Sequence, residues 1–366
     1  NNKLGNLKLD VNTGTTVNDS TTAQIARELL KEAVNLRASD LHIQPYPGGA
    51  TVRARVDGLL QRLTLLPENV YLQLARYFKI QSGMDISNDR TPQDGRLSLN
   101  FHEHSLDLRL SSLPVRGGER LVIRFLDQNR QFHLTGSGFS LSELQAFKRL
   151  ISNSSGLVLI SGPTGSGKTS TLYALIAELN AIYRNIITVE NPVEYVLTGI
   201  SQVDVNPKAG LTFGSALRSA LRQDPEVILV GEIRDQETAQ IAFQAALTGH
   251  LVLSTIHTND SFSAIPRLLD LGVQETILSE ALLGVVSQRL CRALCTKCRA
   301  PVKEPLRNEE KAFKSVTKLT PAYRPVGCDA CGYTGFYDRF PITEVLELSN
   351  DLRQVISSGN IGSYKP

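Results

Sequence analysis

Residues 156–170, GLVLISGPTGSGKTS, decide how this chain is read. Apolar β-formers run into a glycine-rich turn and then into a leucine- and alanine-rich segment with the look of a helix. Gly162, Gly167, Lys168 and Thr169 fit the spacing G-x-x-x-x-G-K-[ST], which lets successive backbone N–H groups curl around nucleotide phosphates. Glycine is needed because a Cβ would block both the turn and the close approach of backbone to phosphate. The helix expected from Lys168 aims the positive end of its dipole at the anion. The phosphate-binding residues expected are therefore Gly162, Pro163, Thr164, Gly165, Ser166, Gly167, Lys168, Thr169 and Ser170. Lys168 reaches the β/γ-phosphates, and the Thr169 hydroxyl ligates Mg²⁺.

At 366 residues the chain is too long for one compact core and suggests two or three domains. Its 41% hydrophobic and 20% charged content is that of an ordinary soluble protein, and a net charge of +3 is too small to argue for nucleic acid. No apolar segment approaches the roughly 18 residues needed to cross a bilayer. The start, NNKLGNLKLD, does not resemble a signal peptide and has no initiator Met, so a fragment or a processed chain is expected.

Ahead of the glycine loop, residues 20–37 place Ile25, Leu29, Ala33 and Leu36 at helical spacing. Strand-like runs follow at 41–44, 50–56 and 59–65, with a hairpin signal at Asp57-Gly58. A helix over 71–82 precedes further strands at 97–101, 105–110 and 120–126. Helix first and then mostly antiparallel strands predicts an α+β domain over 1–134, with a linker at 135–140. Beyond it, short and almost wholly apolar runs at 157–161, 186–190, 227–231 and 251–255 read as buried parallel strands, so 141–290 is expected to be a doubly wound α/β domain.

Ligands bind such sheets beyond the carboxyl ends of the strands. Glu190 and Glu194 lie past the second run. Past the third, Gly231 stands where a metal-coordinating Asp is usual, leaving Glu232 as the nearest carboxylate to hold a Mg²⁺-bound water. His250 and His257 bracket the fourth run, and both are expected near the top edge of the sheet, where an imidazole can sense a γ-phosphate.

Two C-x-x-C pairs, Cys295/Cys298 and Cys328/Cys331, supply the four thiolates of a tetrahedral structural zinc, and with no export signal they favour metal over disulfides. The polar, proline-bearing stretch between them is expected to be a loop closed at its base by the metal, within a subdomain spanning 291–340. Cys291 is the spare thiol, read as a small buried apolar residue.

Taken together, GPTGSGKTSTLYAL, ITVENPVEY, the stretch from Ala216 through STIHTND, and the paired cysteines resemble the assembly ATPases of bacterial type II secretion systems and type IV pili. ASDLHIQP and RTPQDGR fit that family's second N-terminal domain. The resemblance implies a RecA-like P-loop core, a preceding PAS-like α+β domain, a four-Cys zinc subdomain and a truncated C-terminal helical segment over 341–366. It implies that Glu194 activates the attacking water, Glu232 orients the Mg²⁺ shell, and His250 and His257 form a histidine box. Arg96 and Arg109 resemble arginines that close over the phosphates, and Arg218 and Arg222 those that position the acidic loop. ATP, Mg²⁺ and Zn²⁺ follow, as does a hexameric ring on the cytoplasmic face of the inner membrane, working with platform proteins and indirectly with pilin-like subunits. The cysteine pairs accompany the assembly branch, as opposed to retraction motors. Asn191 departs from the family's usual Asp, two glycines expected after the second cysteine pair are missing, and the family's first N-terminal domain and final helices are not represented. A nucleic-acid motor of the conjugation or DNA-uptake kind and an ATP-binding scaffold with little hydrolysis remain as other readings.

Overall fold

The computed structural model describes residues 19–101, 104–179 and 183–361; the opening and closing residues discussed above, 1–10 and 362–366, lie outside them. In chain order the elements are α1 (Asp19–Asn35), β1 (Asp40–Tyr46), β2 (Gly49–Val56), β3 (Leu59–Pro67), α2 (Glu68–Gln81), β4 (Gln93–Phe101), β5 (His104–Val115) and β6 (Gly118–Asp127). Next come α3 (Leu141–Ile151), β7 (Gly156–Ser161), α4 (Lys168–Leu179), β8 (Ile186–Glu190), β9 (Ser201–Asp204), α5 (Phe213–Ala220), β10 (Val227–Val230) and α6 (Gln236–Leu247). The rest are β11 (Leu251–Ile256), α7 (Ala264–Asp270), α8 (Glu275–Ala281), β12 (Leu282–Leu294), β13 (Ala300–Pro301), α9 (Asn308–Thr317), β14 (Tyr323–Arg324), β15 (Phe336–Glu347) and α10 (Asn350–Ser357). They fall into two compact units, one of residues 1–130 with 292–339 and one of residues 131–291 with 340–366.

The first unit contains a six-stranded antiparallel sheet in the order β3-β2-β1-β6-β5-β4. Period-two alternation sorts its faces. Leu41, Ile43, Val52, Ala54, Leu108, Leu110, Leu121 and Ile123 are buried in one core with Ile25, Leu29 and Ala33 of α1 and Leu74 and Phe78 of α2. The intervening positions carry Asp40, Arg53, Arg55, Arg109, Arg120 and Arg124. Residues 292–339 of this unit hold the four cysteines; between the pairs lie the short hairpin β13-β14 and helix α9, so the stretch expected to be a loop has structure of its own.

The second unit contains a seven-stranded sheet ordered β15-β12-β7-β11-β10-β8-β9, in which the six strands from β12 to β9 run parallel. All residues of β7, β8, β10 and β11 are buried, as strands covered on both faces require. Alternate side chains feed two cores. Leu157, Leu159, Ile228 and Val252 meet Leu217, Phe243, Leu268 and Leu278 on one side, while Val158, Ile160, Leu229 and Leu253 meet Phe147, Leu150, Leu172 and Ile176 on the other. Each such side chain contributes roughly 1.5–3 kcal/mol on leaving water. This is the doubly wound architecture expected, extended by β9, β12 and β15. Among the described residues, no helix is long and apolar enough to cross a membrane.

Candidate nucleotide site and cysteine cluster

The loop leaving β7 has the strained turns that its glycines permit: φ is +136° at Gly162, +76° at Gly165 and +89° at Gly167. A Cβ on Gly162 would lie 2.3 Å from the Gln288 carbonyl oxygen, and one on Gly167 would lie 2.7 Å from Gln288 Nε2. These two glycines therefore answer to β12 beneath them as well as to a ligand. A Cβ on Gly165 would meet nothing within 4 Å, so the crest of the loop is open to an anion. Ser166 Oγ is buried and has no hydrogen-bond partner among the described residues. A cradle of this shape, opening into the first turn of α4, suits a phosphate chain.

Gln288 was not singled out by the sequence. It is 2% exposed; its Nε2 donates to the Ser166 carbonyl at 2.7 Å, and its Oε1 accepts from Thr171 Oγ1 at 2.7 Å. One amide thus ties the loop to the first turns of α4. The available signal was weak: Gln288 sits between Ser287 and Arg289 at the end of the apolar run LLGVV.

Lys168 donates through Nζ to the carbonyls of Gly162 at 2.8 Å and Pro163 at 3.1 Å. Burial lowers its pKa, opposed by the charge of Glu232. Glu232 follows β10 and pairs with Arg234 Nε at 2.5 Å, and His257 Nε2 is 3.8 Å from its carboxylate. Burial and the Lys168 charge hold the His257 pKa below its ordinary value, against the pull of Glu232, so the ring is neutral at pH 7. Glu194 lies in the segment after β8, half-buried, with its N–H 3.4 Å from the Tyr173 hydroxyl. The register Val189↔Val230↔Ser254 sets the ends of β8, β10 and β11 at one edge of the sheet. Lys168, Glu232 and His257 accordingly converge beside the glycine loop.

Two expectations need correcting. His250 precedes β11, whereas His257 follows it; six residues at about 3.3 Å each put the two imidazoles at opposite edges of the sheet. His250 instead closes the end of α6, its Nδ1 at 3.0 Å from the Ala245 carbonyl. Arg218 pairs with Glu237 of α6, and Arg222 donates to the Arg218 carbonyl at 2.8 Å, so both are engaged along α5 and α6 and not by the acidic segment. Arg96 and Arg109 face each other as partners on β4 and β5 of the first unit, Arg96 exposed and Arg109 half-buried.

The four sulfurs of Cys295, Cys298, Cys328 and Cys331 all lie within 4.8 Å of one another, with three separations of 3.8, 3.9 and 3.8 Å. A tetrahedron with Zn–S bonds of about 2.3 Å has edges of about 3.8 Å. Backbone N–H groups support the thiolates: Gly327 donates to Cys298 at 3.3 Å, and Cys328 and Gly335 donate to Cys331 at 3.2 and 3.3 Å. Burial alone would raise the Cys331 pKa, but the amides of Cys328 and Gly335 and the neighbouring thiols lower it, whereas burial and the neighbouring sulfurs raise that of Cys298. The residues fit a closed tetrahedral zinc centre.

A glycine loop on a parallel sheet, with lysine, carboxylate and imidazole gathered at neighbouring strand ends, defines a P-loop nucleotide hydrolase. Residues 15–365 match the family described as Type II/IV secretion system protein. The chain is 43% identical over 346 residues to type II secretion system protein E of Aeromonas hydrophila, covering 93% of this chain and 68% of that protein. It is 41% identical over 346 residues to the type IV pilus assembly ATPase PilB of Thermus thermophilus, covering 94% of this chain and 39% of PilB. Among solved structures, the pilus retraction motor PilT with bound ADP superposes with a TM-score of 0.63 at 28% identity, over 92% of this chain and 86% of that one. The chain therefore belongs to the type II/IV secretion system protein family and is an ATPase.

Proposed function

We propose that the chain is the motor of a type II secretion or type IV pilus apparatus, hydrolysing ATP at the 162–170 loop to drive assembly of pilin-like subunits. The observation that carries this reading is the convergence of Lys168, Glu232 and His257 on the glycine loop in a chain of this family. In the proposed scheme the loop amides and Lys168 hold the phosphates, and Glu194 accepts the proton of the attacking water. The Thr169 hydroxyl and Glu232 would hold Mg²⁺, which would supply neutralisation of the phosphate charge. His257 donates to a γ-phosphate oxygen as a neutral imidazole. Arg96 and Arg109 are proposed as the guanidiniums that stabilise transition-state charge, a contribution of roughly 10³–10⁵ in rate for such groups.

Zinc on the four cysteines has a structural part in this proposal, since a four-sulfur site leaves no position for a reacting water. The working form proposed is a homo-oligomeric ring, a hexamer, peripheral on the cytoplasmic face of the inner membrane and coupled to platform proteins there. The test is ATP turnover by the purified chain across its oligomerisation range, with and without DNA. Cooperative activation on assembly supports the ring, and strong stimulation by DNA would favour a nucleic-acid motor instead. Lys168→Ala should abolish turnover while leaving the fold and metal content unchanged; persistent hydrolysis in that variant rejects the site.

A further inference from the structure

Two buried groups beside the phosphate loop have no part in the scheme above. Tyr173 of α4 is wholly buried, and Glu190, the last residue of β8, is 4% exposed. The phenol donates to Glu190 Oε2, while Glu190 Oε1 accepts from Thr188 Oγ1 at 2.6 Å and from Gln202 Nε2 at 3.3 Å. A carboxylate enclosed by three protein donors is poorly placed to bind metal or water. Burial, and then the adjacent Glu190 charge, raises the Tyr173 pKa, so the phenol keeps its proton and remains a donor.

The Tyr173 oxygen also accepts the main-chain N–H of Glu194 at 3.4 Å. Gln202 accepts the Leu197 N–H at 2.7 Å and donates to the Tyr195 carbonyl at 3.0 Å; Asp204 accepts the Val193 N–H at 3.3 Å. The Tyr195 ring packs edge-on against Phe132 and Tyr173, with centroids 5.0 and 6.0 Å away. The segment carrying Glu194 is thus pinned at successive main-chain groups, and all but one of these bonds lead back to Glu190, through Tyr173 or through Gln202.

We infer that Tyr173 and Glu190 are positioning residues for Glu194. Tyr173 belongs to the helix whose first turn faces the phosphates, so its hydroxyl fixes the acidic segment to the same body as the glycine loop. Glu190 fixes the hydroxyl. The inference rests on the reading that Glu194 activates the attacking water, and it gives the two glutamates of ENPVE different tasks.

The experiment is steady-state ATP hydrolysis by the full chain, with kcat and KM measured separately beside thermal unfolding. Tyr173→Phe keeps the ring packing and removes the hydroxyl. It should lower kcat by roughly 10- to 100-fold, the scale of a misplacement near 1 Å, and shift KM by less than about threefold because Lys168 and the glycines are untouched. Glu190→Gln can accept from the phenol or from Gln202 but not from both, so it should lower kcat by a smaller factor than Tyr173→Phe, again with little change in KM; a wild-type kcat there would remove Glu190 from the positioning set. The double variant Tyr173→Phe/Glu190→Gln removes the buried charge that Tyr173→Phe strands, so it should fold even where the single variant does not. Its Tm should recover while kcat stays low. An unchanged kcat in Tyr173→Phe, or recovery of Tm and kcat together in the double variant, would overturn the inference. Glu194→Gln measured alongside separates the two layers: full activity there removes the water-activating reading itself, whereas an inactive Glu194→Gln beside a wild-type Tyr173→Phe removes only the positioning role.

Discussion

Gln288→Leu tests whether the phosphate loop is held from below by β12. Leucine preserves most of the bulk and deletes both hydrogen bonds, the 2.7 Å donation to the Ser166 carbonyl and the 2.7 Å acceptance from Thr171 Oγ1. The two losses differ. Thr171 lies in the first turn of α4, and its hydroxyl can rotate toward a carbonyl of the preceding turn, so it forfeits about 0.5–1.5 kcal/mol. The carbonyl of Ser166, a residue 3% exposed, has no comparable recourse, and a stranded buried acceptor costs about 1–3 kcal/mol. The sum is about 1.5–4.5 kcal/mol, which in a unit of 150–250 residues lowers Tm by roughly 3–18 °C. Thermal unfolding of the nucleotide-free chain reads this directly. Pairing it with Thr171→Val gives a cycle in which the double variant should be milder than the two singles added together, by at least about 0.5 kcal/mol. A Tm within 2 °C of wild type, or additivity in the cycle, would show that β12 merely packs beside the loop.

Other outcomes follow from the first unit. His42 is buried, and Arg120 Nη2 donates to its Nδ1 at 3.4 Å, which requires a neutral ring. Burial first, and the charges of Arg55, Arg120 and Arg53 against the opposing Asp40, lower its pKa. The unfolded chain takes up the proton near pH 6.5 and the folded chain resists it, so this contribution is complete above pH 6.5 and is lost as pH falls toward the folded value. Hydrogen-exchange protection of β1 should therefore weaken from pH 7 to pH 5 in the wild type and do so less in His42→Gln; parallel pH profiles would refute the assignment. Cys328→Ser should release zinc, measured by metal analysis, and open residues 299–327 to proteolysis while leaving nucleotide affinity unchanged. Full metal retention in that variant would mean a different ligand set.

The glycine loop, the four buried runs and the cysteine spacing were legible because each rests on a local rule: a φ that only glycine tolerates, side chains covered on both faces, paired thiols with two residues between them. What escaped was set by distant contacts. Gln288 is 117 residues from Thr171 in sequence and 122 from Ser166, and nothing local marks its amide as a tie. Strands β12 and β15 were missed because their outer residues include Arg289, Arg292, Asp338 and Arg339, which break the all-apolar pattern of a central parallel strand. His250 was placed at the wrong edge because flanking a strand is a statement about proximity and not about direction. A parallel strand has a bottom and a top, and only the residue after it shares an edge with the glycine loop.

Close packing of β10 against β8 explains why the acid near β10 comes one residue later than usual. A Cβ on Gly231 would lie 3.3 Å from the Val189 carbonyl oxygen and 3.4 Å from Glu190 Cα, tighter than side chains normally pack. Gly231 is also held in place, its N–H donating to that carbonyl at 2.8 Å and its own carbonyl accepting from Thr255 Oγ1 at 2.7 Å. An aspartate at 231 would have to push β8 aside and with it the buried Glu190. Moving the carboxylate to Glu232, one peptide beyond the ladder, frees it from that contact and sets it between Arg234 and His257, close enough to Lys168 to oppose the effect of burial on that lysine. The glycine is thus the cost of packing β8 and β10 closely at the level of Glu190, and Glu232 is where the charge reappears.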